Sequence, residues 1–447
     1  MSQRAQRFLE AARRPVPEGT FAVGAGLLVA GLTAYGFQIL AFRALSKESY
    51  AALNGLWVIV FVAAPGFFLP LEQEVGRALA HRRAQGLGGG PLVKRAAVVG
   101  GAVTLALVVA ALLGGQALVD NLFNHEGLLL AGFVVALVAY SGEHLARGTL
   151  SGNGRFGPYG LMLGSEGVIR LAACAVLFAV GLTSPGPYGL VLAGAPIAAI
   201  AVSMFRQRGL VTPGPDAPWS ELSSALGYLL AGSVFAQTLG YAAFLGASVL
   251  ATSDERDALG GFIAGLFIAR IPILLFQAVQ AALLPKLAGL AGSGRYDDFR
   301  AGLRKLVVIV VGIGVIGVLG GLTLGPWAGE LLFGSKFTLG NRDLALLAAG
   351  SGAFILALTI AQALIALGGH AQAVLAWLAG IVGFLVVTAL GSDLFLRVEM
   401  GFLAGSLASV GMMTVLLAAR LRAGAVPSPE ILVEALEAER LGLGELG

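Results

Sequence analysis

Residues 95–118 read RAAVVGGAVTLALVVAALLGGQAL, and after Arg95 this stretch carries no charge. A helix needs about 20 apolar residues to cross roughly 30 Å of hydrocarbon, so the stretch is long enough to span a bilayer. Comparable apolar stretches recur along the whole chain with short connections between them. We predict twelve transmembrane helices at 20–42, 51–72, 95–118, 128–149, 158–182, 188–206, 222–250, 259–284, 304–326, 343–367, 371–391 and 398–420.

The composition agrees with an all-α integral membrane protein. Of the 447 residues, 57% are hydrophobic and only 12% are charged, whereas soluble chains carry about 25% charged residues. So few charges cannot cover a surface that faces water, so lipid must solvate most of it. The single cysteine, Cys174, excludes a disulfide framework, and the four histidines lack metal-ligand spacing, so we expect no metal site.

Basic residues predict the orientation of the chain. With the N-terminus in the cytoplasm, 21 of the 29 Lys and Arg residues fall in cytoplasmic segments and six fall on the opposite side. This excess indicates that both termini are cytoplasmic. Segment 1–19 lacks the apolar core of a signal peptide. Arginine far outnumbers lysine, and Ala, Gly, Val and Leu dominate, which suggests a GC-rich bacterial gene. We therefore expect a multi-pass protein of a bacterial cytoplasmic membrane, with Trp57 near an interface as a membrane anchor.

The chain divides into two halves of six spans. Residues 207–221 contain three prolines and no apolar run, and both halves then enter the membrane in the same direction, as in a parallel repeat. Residues 54–57 (NGLW) lie 210 residues before 264–267 (AGLF). The predicted organisation is an N-terminal segment 1–19, an N-lobe 20–206, a cytoplasmic linker 207–221, a C-lobe 222–421 and a cytoplasmic tail 422–447.

Arg270 lies inside the eighth span without an acidic residue within one turn. An ionisable group there costs about 2.5–3.5 kcal/mol on insertion scales and normally faces a cavity or a partner. Arg270 therefore either binds an anionic substrate or pairs with an acid of another helix, such as Glu143 or Glu166. Gln277 and Gln280 would line the same path.

Two Glu–Arg pairs stand four residues apart, Glu143 with Arg147 and Glu166 with Arg170. This spacing places each pair on one helix face, with the acid in the favourable N-terminal position. The pairs are either neutralised structural contacts or the lining of a water-filled cavity or proton path.

Charged residues also stand at the ends of the first two spans. Glu72 and Arg77 close the second span on the cytoplasmic side, either as a gate or as an interfacial helix end. Arg43 closes the first span on the outer side, where it either lines an outward opening or extends its charge to the interface.

Three segments carry a family resemblance. They are 37–45 (FQILAFRAL) leading into Tyr50, 148–156 (GTLSGNGRF) and 332–337 (LFGSKF). Over about residues 20–420 the chain resembles polysaccharide-biosynthesis flippases of the multidrug/oligosaccharidyl-lipid/polysaccharide exporter superfamily.

The resemblance implies two six-helix lobes that open alternately to the two sides. It implies a polyprenyl-diphosphate-linked oligosaccharide as cargo, with Arg270, Arg43 and Arg170 as substrate-binding cations for the diphosphate. The drug-exporting branch is expected to use a carboxylate near the first or seventh span, and neither span has one. We expect a monomer whose partners are the lipid bilayer and the anionic glycolipid, and no nucleic acid.

Three alternatives remain open. One is an ion-coupled exporter of small amphipathic molecules, with Glu143 or Glu166 as the acid that couples to protons or sodium. A second is a membrane-embedded glycosyltransferase, which the short external stretches disfavour, so we expect no enzyme. The third is an assembly protein without transport. Residues 86–90 lack the Lys-Ser/Thr of a phosphate-binding loop, so we expect no ATP and no other cofactor.

Overall fold

The computed structural model describes residues 19–222, 226–252, 255–273, 276, 290–291, 294–335 and 337–422. Within these ranges the chain consists of helices joined by short turns, without β-strands. Helices are expected because lipid offers no hydrogen-bond partners, and a helix pairs its backbone groups internally. In the same ranges ten helices are long and apolar enough to span a bilayer, and one bent helix pair makes eleven.

The helices before the linker form the N-lobe. They are α1 (Thr20–Ala44), α2 (Lys47–Ala84), α3 (Gly90–Leu113), α4 (Gly115–Asn121), α5 (Gly127–Gly152), α6 (Phe156–Ala179) and α7 (Pro185–Met204). Here α1 packs on α6, and α5 packs on both α2 and α7.

The helices after the linker form the C-lobe. They are α8 (Leu226–Gly240), α9 (Ala242–Leu250), α10 (Arg256–Ala269), α11 (Tyr296–Thr323), α12 (Gly325–Phe333), α13 (Asn341–Ala366), α14 (His370–Leu390) and α15 (Leu394–Arg422). Here α8 packs on α14, and α13 packs on both α10 and α15. These pairs correspond one to one with those of the N-lobe, which confirms the predicted parallel repeat.

Short helices and two glycines support the same correspondence. Helix α4 begins at Gly115 and α12 begins at Gly325, at the spacing of 210 residues that also separates Gly55 from Gly265. A Cβ atom at Gly55 would lie 2.6 Å from the carbonyl oxygen of Leu122, just after α4, and one at Gly265 would lie 2.3 Å from the Leu339 side chain, after α12. Equivalent glycines therefore allow equivalent close contacts. We call the membrane face with α4 and α12 the far face, and the face with the linker the linker face.

Helix α2 is longer than the predicted span 51–72. It runs from Lys47 to Ala84 through a π-helical turn at Ala64–Phe68, so most of the predicted connection 73–94 is helical. Hydropathy ends the span at Glu72 because charges follow it. In the folded chain these charges contact other parts of the protein, and the helix continues.

The seventh and eighth spans depart from regular helices. The predicted span 222–250 consists of α8 and α9, which meet at a bend of 59°. In the predicted span 259–284, α10 ends at Ala269, with Arg270 as its C-cap. Pro272 lacks the N–H that would continue the hydrogen-bond ladder, which gives a physical reason for this break. The two breaks lie beside each other and supply the site described below.

The linker is held against the N-lobe. Arg82, which is only 2% exposed, donates hydrogen bonds to the Glu221 carboxylate at 3.0 Å and to the carbonyl of Pro215 at 2.5 Å. Arg95, on the neighbouring helix α3, forms an ion pair with Asp216 of the linker at 2.9 Å. These contacts tie the chain between the lobes to the linker-face ends of α2 and α3.

An Arg82→Ala substitution should loosen the linker. It removes the buried donor of the hydrogen bonds to the Glu221 carboxylate and the Pro215 carbonyl, and losing a hydrogen bond to a charged group costs about 1.5–3 kcal/mol. Arg83→Ala is the matched control, since Arg83 is the next residue and is exposed. Thermal unfolding and limited proteolysis at 207–222 would measure the effect. Equal stability and equal cleavage of the two variants would contradict the proposed anchoring.

Candidate functional site between the lobes and in the N-lobe

Arg270 lies where the two helix breaks meet. Its Nη1 atom donates to the carbonyl of Gly240 at 2.6 Å, and its guanidinium lies 3.8 Å from the centre of the Tyr241 ring. Gly240 ends α8 and Tyr241 is the bend residue, so the broken backbone supplies the acceptor. Neither Glu143 nor Glu166, the acids considered as partners, pairs with Arg270, and among the described residues no carboxylate forms an ion pair with it.

The surroundings of Arg270 include residues of both lobes. Tyr35 of α1 donates its hydroxyl to the carbonyl of Phe267 at 3.0 Å. Trp57 of α2 contacts the Phe267 ring edge-on, with the ring centres 6.0 Å apart. Trp57 is 4% exposed, so its predicted position as an interfacial anchor is wrong. Its indole is packed by α1 and α10, which hydropathy cannot show. The cation therefore lies beside an aromatic contact between the lobes.

Arg170 is buried inside the N-lobe. It forms the predicted ion pair with Glu166, at 2.6 Å, and its guanidinium lies 5.2 Å from the centre of the Trp57 ring. Tyr140 donates to the same Glu166 oxygen at 2.7 Å. Because its charge is balanced within its own lobe, Arg170 is less suited than Arg270 to attract an external anion.

The predicted pair between Glu143 and Arg147 does not form. Arg147 turns instead to Glu72 of α2, with a distance of 3.3 Å between its Nε and the carboxylate. Glu143 is fully buried, and neither of its carboxylate oxygens has a hydrogen-bond partner in the described part of the chain. The i,i+4 spacing allowed the pair, but a second helix supplied a competing acid.

Glu72 lies inside the N-lobe near the linker face. Besides Arg147, it accepts hydrogen bonds from the His144 ring and the Tyr159 hydroxyl, both at 2.7 Å. Neither His144 nor Tyr159 was predicted as a site residue. His144 follows Glu143 within an apolar run, and this position was the feature of the sequence that could have indicated a buried site residue. Arg77 pairs with Glu74 rather than with Glu72.

These groups form a buried chain of polar residues within the N-lobe, which we call the polar chain. It begins at Arg170 and Glu166 beside Trp57 and ends at Glu72 and its partners near the linker face. Glu143 lies within electrostatic reach of the clusters at both ends. Chains of ionisable side chains in a membrane protein are typical of proton relays. The carboxyl of Glu143, which lacks a hydrogen-bond partner in the described chain, therefore lies within reach of two clusters whose charges are balanced by ion pairs.

Arg43 joins the lobes at the far face. Its Nη2 atom donates to the carbonyls of Leu332 at 3.0 Å and Leu331 at 3.3 Å, at the end of α12. Nearby, Phe42 and Phe333 make an edge-on contact with ring centres 5.2 Å apart. Arg43 itself is exposed. In this conformation it closes the two lobes on each other rather than lining an opening.

The remaining predicted site residues, Gln277 and Gln280, lie outside the described residues. Within the described ranges, no group of three or more His, Cys, Asp or Glu side chains is placed to hold a metal ion.

No protein-family model matches the sequence. An uncharacterized protein of Mycobacterium bovis is 26% identical over 411 residues, which cover 89% of this chain and 91% of the relative. A different uncharacterized protein of Mycobacterium tuberculosis is 27% identical over 422 residues, covering 91% and 93% of the two chains.

Solved structures with the same fold are transporters. An inward-facing multidrug resistance MATE family transporter of the MOP superfamily matches with a TM-score of 0.71 and 16% identity, over 88% of this chain and 95% of that one. A mutant of the Vibrio cholerae MATE transporter VcmN matches with a TM-score of 0.68 and 17% identity, over 91% and 97%. The outward-facing form of a multidrug resistance MATE family transporter matches with a TM-score of 0.65 and 14% identity, over 91% and 95%. The two-lobe membrane fold is therefore the fold of these transporters.

Proposed function

We propose that this protein is a transporter that moves an anionic amphipathic molecule across a bacterial cytoplasmic membrane by alternating access, with both termini in the cytoplasm. The observation that carries the proposal is the position of Arg270. It is a half-buried cation between the two lobes, held by a backbone carbonyl and an aromatic ring without a carboxylate partner in the described chain.

The cargo that best suits this site is a polyprenyl-diphosphate-linked oligosaccharide. Its diphosphate is a compact anion, and a guanidinium binds phosphate oxygens with paired, charge-assisted hydrogen bonds. Arg270 offers one cation, since Arg170 is neutralised by Glu166 and Arg43 is bound at the far face. The sequence resemblance to polysaccharide flippases supports the same cargo.

An Arg270→Ala variant tests this proposal. Losing a charge-assisted hydrogen bond costs about 1.5–3 kcal/mol, so affinity for a polyprenyl diphosphate probe should fall by roughly 10- to 100-fold. In cells that carry only the variant, lipid-linked sugar should accumulate in the inner leaflet. Arg300→Ala removes the same charge from an exposed position and should behave as wild type. Unchanged probe affinity and no accumulation in the Arg270 variant would refute the anionic cargo.

A second candidate is a proton-coupled exporter of small amphipathic molecules. The unpartnered carboxyl of Glu143 favours it, and the structural neighbours include multidrug resistance transporters. In this case Glu143→Gln should abolish transport driven by a pH gradient in proteoliposomes, while Arg270→Ala should leave it largely intact. The opposite pattern supports the flippase.

A further inference from the structure

The C-lobe holds a second buried carboxyl without a partner. Glu399 lies in the second turn of α15, near the far face, and is fully buried. Neither of its carboxylate oxygens has a hydrogen-bond partner among the described residues. The sequence does not indicate this burial, because Glu399 stands close to the end of a span, where an acid is ordinarily solvated.

The charged groups around Glu399 come from three parts of the chain. From α13, Arg342 and Asp343 form an ion pair at 2.8 Å. Asp393 precedes α15 and exerts its field on Glu399 together with that pair. Arg397 and Glu255 complete the far-face group, since Arg397 and Asp393 both lie in electrostatic reach of Glu255. Of the other helices that contact α15, α8, α9 and α14 carry no ionisable residue at this end. Helix α10 contacts α15 through the stacked rings of Phe262 and Phe395; it begins with Arg256 and Asp257, whose side chains lie outside the described part of the chain.

These surroundings disfavour a charged Glu399. Among the groups that act on Glu399, the two carboxylates of Asp343 and Asp393 already outnumber the single guanidinium group of Arg342. An ionised Glu399 would add to this negative excess, and no donor among the described residues would stabilise its oxygens. Burying an isolated carboxylate costs far more than burying the neutral acid. A metal ion is a poor alternative occupant, since no metal-binding group of side chains exists in the described ranges.

We propose that Glu399 is a proton-binding site of the C-lobe. The site lies in the C-lobe near the far face, whereas the polar chain lies in the N-lobe and ends near the linker face. It goes beyond the transport of a particular cargo and does not depend on Arg270. Among the described residues, each lobe then has a buried carboxyl without a hydrogen-bond partner, Glu143 in the N-lobe and Glu399 in the C-lobe.

Infrared spectroscopy tests the proposal without requiring access of a reagent to the site. A protonated carboxyl has a C=O stretching band that an ionised carboxylate lacks. At neutral pH, exposed carboxyl groups with pKa values of about 4 are ionised and do not contribute. The spectrum of the purified protein in lipid should therefore show this band, and Glu399→Gln should remove one component of it. Glu143→Gln is the matched control and should leave the Glu399 component in place.

Deuteration gives an independent check, because the band of a protonated carboxyl shifts in D₂O. A Glu399→Gln spectrum identical to wild type at neutral pH would overturn the proposal, since Glu399 would then be ionised. If Glu399→Gln fails to fold, Glu399→Asp keeps the ionisable group. It should move the same component to a new frequency, and an unmoved band would overturn the proposal equally.

Discussion

A Glu166→Ala variant is expected to be severely destabilised. Its partner Arg170 is 2% exposed and lies inside the N-lobe, so its guanidinium is removed from the bulk solvent. Removing one member of a buried ion pair typically costs about 3–5 kcal/mol, because the other charge stays buried and uncompensated. The Tyr140 hydroxyl would also lose its acceptor. Thermal unfolding in lipid or detergent should show a large drop in the transition temperature.

A double variant separates the ion pair from general packing. Glu166→Gln with Arg170→Met removes both charges, keeps the side-chain volumes similar and leaves the Gln carbonyl to accept from Tyr140. Well-packed neutral replacements of buried ion pairs are often tolerated, so the double variant should recover most of the stability that Glu166→Ala loses. A single Glu166→Ala variant as stable as wild type would show that the pair does not contribute to the fold.

Gly160→Ala is expected to separate α1 from α6. A Cβ atom at Gly160 would lie 2.1 Å from the carbonyl oxygen of Ala22, and one at Gly26 would lie 2.3 Å from that of Gly160. Small residues allow transmembrane helices to pack backbone against backbone. Because a backbone cannot turn aside as a side chain can, the added methyl group should cost at least the roughly 1–3 kcal/mol of ordinary overpacking.

Gly157→Ala is a matched control in the same helix. A Cβ atom there has no neighbour within 4 Å, so the substitution should be neutral or stabilise α6 by roughly 0.5–1 kcal/mol through helix propensity. Thermal unfolding and cross-linking between α1 and α6 would compare the variants. Equal behaviour of Gly160→Ala and Gly157→Ala would contradict the close helix contact.

Much of the fold was predictable because lipid imposes strong local rules. A spanning segment must be long, apolar and helical. The stretch 95–118 and its counterparts could therefore be predicted without any information on contacts. The repeat was visible at Gly55 and Gly265, since equivalent positions need the same small residue. Hydropathy did not predict the full length of a helix where its charged residues form ion pairs with other parts of the protein. The continuation of α2 through Arg82 is the example.

The candidate site was only partly predictable, because its ionisable residues pair with groups on other helices. Arg147 had a suitable acid four residues away in Glu143, yet it pairs with Glu72 of α2. Arg270 takes the carbonyl of Gly240, which is free because α8 ends there. Neither choice depends on sequence spacing.

By itself the sequence determined a membrane-spanning chain of helices in two parallel halves, because the spanning requirement acts on each segment separately. Only the tertiary structure decided which charges are neutralised and which are not. Arg170 and Glu166 balance each other, whereas Arg270 lacks an acidic partner, and Glu143 and Glu399 lack any hydrogen-bond partner, in the described chain. The physical reason is that a charge in a low-dielectric interior responds to every group within a few ångströms, and those neighbours come from distant parts of the chain.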